Sequence, residues 1–337
     1  MSGSTLQIVI PMAGFGLRLR PHTLSRPKQL LRMAGKRVID HVLDTFTTVP
    51  DPANSEFIFI VGYLGDKIKA YMHQTHPDLK VHYVEQSEMR GQSHAISLAK
   101  DYLNGPMLVL FPDTLIETDF SFLTAETAGG VTWVKAVPDP RRFGVASLGE
   151  DGWVTHLVEK PTDVNNNLAL VGCYYFQSAQ ELLQAIEEQI QRKLSLKNEF
   201  YLADAVNVML EHGLKMRIQR VDTWLDAGTP EDVLKTNRYL LEHGHDSSTE
   251  AHPHKNSLIL PPVFIHPTSI IENSIIGPHV AIGANCTIQR CIIRDSIIDD
   301  GSVVKGVVIE HSHIGQEVHL RQKAGVLNVG DHTELSL

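Results

Sequence analysis

Ile8-Val9-Ile10-Pro11-Met12-Ala13-Gly14-Phe15-Gly16-Leu17-Arg18-Leu19-Arg20-Pro21-His22-Thr23 stands near the start of the chain, with Pro27-Lys28 close behind. A short apolar β-type run ends here in a Gly-x-Gly turn, and glycines after a strand let backbone N–H groups approach a phosphate. Arg18 and Lys28 add full charges that backbone dipoles cannot supply. Two familiar phosphate loops are excluded. A dinucleotide fingerprint needs a third glycine where Leu19 sits, and a P-loop around Gly35-Lys36 is spoiled by Leu30 and Arg37. No acidic residue precedes Asp40, whereas Arg18, Arg20, Arg26, Lys28, Arg32, Lys36 and Arg37 crowd one short segment. The whole chain carries a net charge of -9, a field that disfavours nucleic acid, so this local cationic stretch points to a small, multiply charged anion.

Outward from the loop, β-rich runs at Ile8 to Ile10, Phe57 to Val61, Val81 to Val84 and Met107 to Phe111, with a helical Gln92 to Tyr102 between the last two, predict an α/β domain. Its expected form is a doubly wound, mostly parallel sheet, in which ligands sit at the carboxyl ends of the strands where the loops after Ile10 and Phe111 converge. Further strands are expected at Val131 to Val137, Val154 to Val158, Leu170 to Phe176 and Met216 to Val221, and amphipathic helices near Ala179 to Lys193 and Tyr201 to His212. Thr229, Pro230 and Asp232 are the cap, first-turn proline and dipole-matched acid of one more helix, running to about Leu241.

A change of character follows. His243, His245, His252 and His254 lie among Gly, Ser, Asp and Pro, which reads as a solvated linker over 242–256 without the fixed spacing of a histidine metal site. Beyond it Ile270, Ile276, Ile282 and Ile288 recur every six residues, with Gly277 and Gly283 behind two of them. Ile293, Ile298, Val303 and Val308 then step by five, and Ile314-Gly315 restores the phrase. A β-sandwich would alternate with period two. Steps of six instead predict a left-handed parallel β-helix of hexapeptide repeats, with irregular corners and roughly three to four triangular turns of about 18 residues. The expected division is therefore an α/β domain at 4–241 and a β-helix at 257–337, in keeping with a length of 337 residues.

Composition agrees with two packed cores: 42% apolar and 20% charged residues exclude wholesale disorder. No apolar run reaches the roughly 18 residues of a membrane span and no signal peptide opens the chain, so a cytoplasmic protein without membrane contact is expected. Cys173, Cys286 and Cys291 have neither a zinc nor a CxxC spacing and read as buried fillers.

The glycine-rich segment resembles that of the sugar-1-phosphate nucleotidyltransferases, whose signature G-x-G-T-R-L-x-P-x-T is followed by P-K. Gly14, Gly16, Arg18, Leu19, Pro21, Thr23, Pro27 and Lys28 match, and Leu17 stands where the family usually has Thr. The resemblance continues along almost the whole chain. It implies that Ala13, Gly14, Gly16, Arg18, Lys28 and Asp113 contact the nucleotide, and that Gln86 and Gly91 read the nucleobase edge. Gln suits that task because its amide both donates and accepts. It implies further that Gly144 in Phe143-Gly144-Val145, with Glu159 and Lys160 in Glu159-Lys160-Pro161, binds the sugar and its phosphate. Asp113, and Asp226 in Trp224-Leu225-Asp226-Ala227-Gly228-Thr229-Pro230, are the implied Mg2+ ligands, hard oxygens as that ion requires.

The activity implied is nucleotidyl transfer from an NTP, dTTP or UTP favoured, to a sugar 1-phosphate, glucose 1-phosphate favoured, giving NDP-sugar and pyrophosphate. Arg18, Lys28 and Lys160 are the expected catalytic residues. The β-helix implies a homo-oligomer, trimer or tetramer. Two alternatives stand beside this reading: an acyltransferase activity in the β-helix, making the chain bifunctional, and a catalytically silent nucleotide-binding regulatory subunit.

Overall fold

Ile8 to Ile10, Ile58 to Ile60 and Met107 to Leu110 are fully buried, and unbroken apolar runs of this kind belong to strands covered on both faces. In the computed structural model, which describes residues 5–249 and 254–322, these runs lie in Gln7–Pro11, Glu56–Val61 and Met107–Leu110. With Val81–Glu85 they form four parallel neighbours, Gln7–Pro11 sitting between Met107–Leu110 and Glu56–Val61. The other half of this nine-stranded sheet is mixed. Leu168–Phe176 runs antiparallel to Met107–Leu110, Gly130–Ala136 and Gly144–Leu148, and Val154–Glu159 closes one edge. Met216–Arg220 pairs parallel with Gly130–Ala136. The sheet is thus all-parallel in its first half and mixed in the other. Gly172 bulges the central antiparallel strand: it has φ +80°, the register slips between Leu170 and Tyr174, and its carbonyl accepts from the Phe111 amide at 3.0 Å.

Helices Gln92–Leu98, Ala179–Gln191 and Leu202–Glu211 pack on one face, where Ile96, Leu182, Ile186 and Val206 join Val9, Ile58 and Val109 in one apolar cluster. Ser178 caps the second of these by accepting from the Glu181 amide at 3.2 Å. Helices Val38–Asp44 and Gly65–Thr75 belong to the same unit. No helix of the described residues is long and apolar enough to cross a membrane.

The chain divides into two compact units, Met1–Leu31 with Lys36–Val233, and Arg32–Gly35 with Leu234–Leu337. The second unit holds three parallel four-stranded sheets, the faces of a triangular β-helix. Ile275 lies opposite Ile292 but Ile297 opposite His313, so a coil takes 17 and then 16 residues rather than 18. The reason lies in the corners. Gly277-Pro278-His279 takes three residues to turn, whereas Asp295-Ser296 takes two, its first residue left-handed at φ 41°. The inward row also differs from the expected one. Ile271 and Ile309 point inward, while Ile270 and Val308 are 56% and 72% exposed, because neighbours within a three-residue strand face opposite ways. Cys286 and Cys291 are interior fillers there, as Cys173 is in the main sheet.

Asp246 and Ser247, inside the segment read as a solvated linker, are instead bonded along strand Val263–Ile265. The Asp246 carboxylate accepts from the Val263 amide at 2.9 Å, and the Ser247 hydroxyl from the Ile265 amide at 3.1 Å. His252, with the rest of residues 250–253, lies outside the described residues.

Arg32–Gly35 belongs with this second unit through specific contacts. Arg32 pairs with Asp300 at 2.9 Å, the Ala34 amide donates to Asn237 at 2.8 Å, and Phe264 packs against Gly35. Gly35 has φ +89°, and a β-carbon there would stand 2.4 Å from the Phe264 ring. Gly35→Ala is therefore expected to cost about 2–4 kcal/mol through left-handed backbone and overpacking. A thermal midpoint within a degree of wild type would contradict that reading of the contact.

Candidate active site

Strand Gln7–Pro11 delivers its loop to the carboxyl edge of the parallel half-sheet, with Met12 anchored by its amide on the Ile60 carbonyl at 2.8 Å. Gly16 is left-handed at φ 63°, and its carbonyl accepts from the Thr23 hydroxyl at 2.8 Å, which closes the loop on itself. The turn Leu17–Leu19 buries Leu19 and leaves Leu17 and Arg18 exposed. A second turn, Lys28–Leu30, carries Lys28 into the protein, where its ammonium donates to the Asp113 carboxylate at 2.8 Å. Burial disfavours the Asp113 charge, but the Lys28 charge and hydrogen bond outweigh it and hold that carboxyl below the usual range.

Asp113 sits just before strand Thr114–Ile116, and this strand pairs with Trp224–Asp226 so that Asp226 lies opposite Thr114. The two aspartates are thereby brought together. Asp226 accepts from the Gly228 amide at 2.7 Å, yet burial and then the neighbouring Asp113 charge push its carboxyl above the usual range. Two converging carboxylates, one raised by the other, suit a divalent cation with hard-oxygen preference. Mg2+ is commonly held by one or two carboxylates with substrate phosphates supplying the rest, so a pair is a sufficient protein contribution. No larger cluster of His, Cys, Asp or Glu suited to a metal occurs among the described residues.

A cavity of about 640 Å³ joins these groups. Gly14, Gly16, Arg18, Lys28, Asp113 and Asp226 line one part, and Gly144 and Glu159 another. Gly144 pairs with Glu159 across two antiparallel strands, and a β-carbon at Gly144 would come within 3.0 Å of the Glu159 carboxylate and 2.8 Å of Leu170. Burial raises the Glu159 carboxyl and Asp204 adds to it, against the opposing charge of Lys160. Lys160 itself is not among the lining residues: its ammonium is 4.0 Å from Glu159 and donates to the Tyr201 hydroxyl at 3.0 Å.

Ala13, Gln86 and Gly91 do not line the cavity. Gln86 is buried, with its amide 3.3 Å from both the Gly91 carbonyl and His94 Nδ1. Gly91 begins helix Gln92–Leu98 at φ 98°, and a β-carbon on it would lie 2.5 Å from the Phe200 backbone nitrogen. Arg142 and Tyr174 line the cavity without having been singled out by the sequence. Tyr174 lies on the strand that reverses the sheet, and no short motif marks it. Trp224 lines it too, edge-on to Phe143 at 4.7 Å, with a buried indole N–H that has no partner among the described residues.

The nucleotidyl transferase family pattern matches residues 8–243, which takes in this entire cavity. The chain belongs to the nucleotidyl transferase family. A second pattern, the GlmU-like C-terminal hexapeptide, matches residues 249–295. The chain is 28% identical over 362 residues to the glucose-1-phosphate thymidylyltransferase of Streptomyces griseus, covering 98% of this chain and 99% of that one. It is 33% identical over 238 residues to the bifunctional protein GlmU of Methanocaldococcus jannaschii, covering 70% of this chain and 55% of the relative. In fold it resembles a UDP-glucose pyrophosphorylase solved with UDP-glucose, at a TM-score of 0.60 and 19% identity over 71% of this chain and 99% of that one. In this nucleotidyl transferase, residues distant in sequence converge on one cleft that has cations and carboxylates at one part and a glycine and a glutamate at another.

Proposed function

We propose that this nucleotidyl transferase joins an NTP, dTTP or UTP favoured, to a sugar 1-phosphate, glucose 1-phosphate favoured, and releases pyrophosphate. The observation that carries the reading is the single cleft in which Arg18, Lys28, Asp113 and Asp226 face the same space as Gly144 and Glu159. An oxygen of the sugar phosphate attacks the α-phosphorus in line, the new P–O bond forms, and the bond from that phosphorus to the bridging oxygen breaks. The nucleophile is already an anion, so the protein's task is alignment and charge neutralisation rather than proton abstraction. Mg2+ held by Asp113 and Asp226 would neutralise phosphate charge. Backbone amides of Ala13, Gly14 and Gly16 cradle the triphosphate, and Arg18 and Lys28 offset the charge that builds on the leaving pyrophosphate. Gln86 and Gly91 face the base, Glu159 and the Gly144 amide bind sugar hydroxyls, and the Trp224 indole offers one more donor. Lys160 takes the sugar phosphate.

The test is a panel of five NTPs against several sugar 1-phosphates with pyrophosphate release as readout. Release with at least one pair is expected, and none with any pair would overturn the reading.

We read the β-helix as an assembly element that makes a homo-oligomer, trimer or tetramer. Leu258, Ile275, Ile292 and Val308 stand in register on one face, with Leu258 54% and Val308 72% exposed, an apolar row that a neighbouring copy would cover. Light scattering is expected to give more than one chain per particle. A monomer at micromolar concentration would refute this role, and robust acetyl-CoA-dependent acylation of an amino-sugar phosphate would make the chain bifunctional.

A further inference from the structure

Phe200 and Tyr201 lie at the meeting point of two loops with different tasks. On one side the Phe200 amide donates to the Arg90 carbonyl at 2.9 Å, the Ser93 amide donates to the Phe200 carbonyl at 3.0 Å, and the Arg90 guanidinium stacks 5.5 Å from the Phe200 ring. The Leu202 amide donates to the Gln92 side chain at 3.1 Å. The Tyr201 carbonyl accepts from the Ser93 hydroxyl at 3.1 Å and from the Gln189 side-chain Nε2 at 2.9 Å. This backbone is held from several elements at once, and Tyr201 is buried to 9% exposure.

On the other side stands Lys160, a long flexible chain on a left-handed residue, φ 50°. Its ammonium donates to the Tyr201 hydroxyl at 3.0 Å and lies 5.0 Å from the centre of the same ring, so it is restrained at the hydroxyl end of that side chain by a hydrogen bond. Glu159, 4.0 Å from that ammonium, lines the cleft, which fixes where the charge is held.

We propose that Tyr201 is a positioning residue that holds the Lys160 ammonium beside the cleft-lining Glu159, in place for the phosphate of a sugar 1-phosphate. This rests on the reading of Lys160 as the sugar-phosphate contact. A lysine left to explore its rotamers would be in place only part of the time, and substrate binding would have to order it. The Tyr201 hydrogen bond, foremost among its causes and against the opposing effect of burial, also raises the Lys160 pKa.

Initial rates with dTTP and glucose 1-phosphate test this in the full-length protein. Tyr201→Phe keeps the ring and its packing and removes only the hydroxyl. It is expected to raise the KM for glucose 1-phosphate about 5–10-fold while leaving the KM for dTTP and the thermal midpoint near wild type. Lys160→Ala should raise the same KM further, and the double variant should be no worse than Lys160→Ala alone, since a positioning effect vanishes once its target is gone. An unchanged glucose 1-phosphate KM in Tyr201→Phe, with a raised one in Lys160→Ala, would overturn the role of Tyr201 and leave that of Lys160 standing. Additive effects in the double variant, or equal effects on both substrates, would mark Tyr201 as structural and overturn it too. An unchanged KM in Lys160→Ala would remove the reading of Lys160 and the proposal with it.

Discussion

Asp226→Asn is expected to lower kcat on the order of a thousandfold while leaving the fold as stable as before or slightly more so. The two halves of that result have one cause. Asp226 is held against its preference: burial, and then the Asp113 charge beside it, push its carboxyl above the usual range. A group raised in this way gains nothing for the fold from being ionised near neutral pH, so removing the charge relieves repulsion. Asn keeps an acceptor for the Gly228 amide, now 2.7 Å from the carboxylate, and the turn into helix Pro230–Glu242 should therefore survive. What Asn cannot supply is the second anion that Mg2+ needs beside Asp113. Thermal melts without metal and initial rates over a Mg2+ series read the two halves separately. Turnover near wild type in the variant, or full turnover of the parent in excess EDTA, would sink the metal assignment.

Lys28→Met should be as damaging to activity, again on the order of a thousandfold in kcat/KM, but it should cost stability as well. Lys28 is 9% exposed and its ammonium meets Asp113 at 2.8 Å. Methionine fills the space and leaves the carboxylate without its cation, a loss of about 2–4 kcal/mol for a carboxylate still partly open to the cleft. The sign of the pH effect follows from the same pair. With Lys28 present, the Asp113 pKa lies below its ordinary value despite burial, so the pair contributes stability above the unfolded-state pKa and loses it only as pH falls through the lowered one. Without Lys28 the burial that raises its pKa is opposed only by a backbone hydrogen bond and the Arg18 charge, so the pKa rises. The acid limb of the residual activity should then move to higher pH. A variant with wild-type thermal midpoint and an unmoved acid limb would show that the pair does not matter as described.

Much of this architecture was legible in the sequence because it is written in local chemistry. A strand running into Gly14-Phe15-Gly16, with Arg18 and Lys28 behind it, declares a phosphate loop whatever surrounds it. Buried runs such as Ile8 to Ile10 declare a covered strand, and isoleucines at steps of six and five declare a coil that turns three corners. Other features depend on which elements meet, and for these the one-dimensional pattern is silent. Ile270 and Ile271 are the same residue type, and only the pairing of their strand with Thr287–Gln289 decides that Ile271 faces the interior. The separation of 85 positions from Lys28 to Asp113 is closed by the sheet, not by any motif. Likewise Arg32–Gly35, in the midst of the cationic segment, joins the β-helix unit because Asp300, Asn237 and Phe264 fold up to meet it. The sequence by itself therefore determined the kinds of element, the chemistry of the phosphate loop and the presence of a coil, since propensity, turn residues and charge act over a few neighbours. Only the tertiary structure decided the reversal at Leu168–Phe176, the aspartate pair and the seat of Lys160 on Tyr201, because packing and hydrogen bonding join groups whose separation along the chain carries no energy of its own.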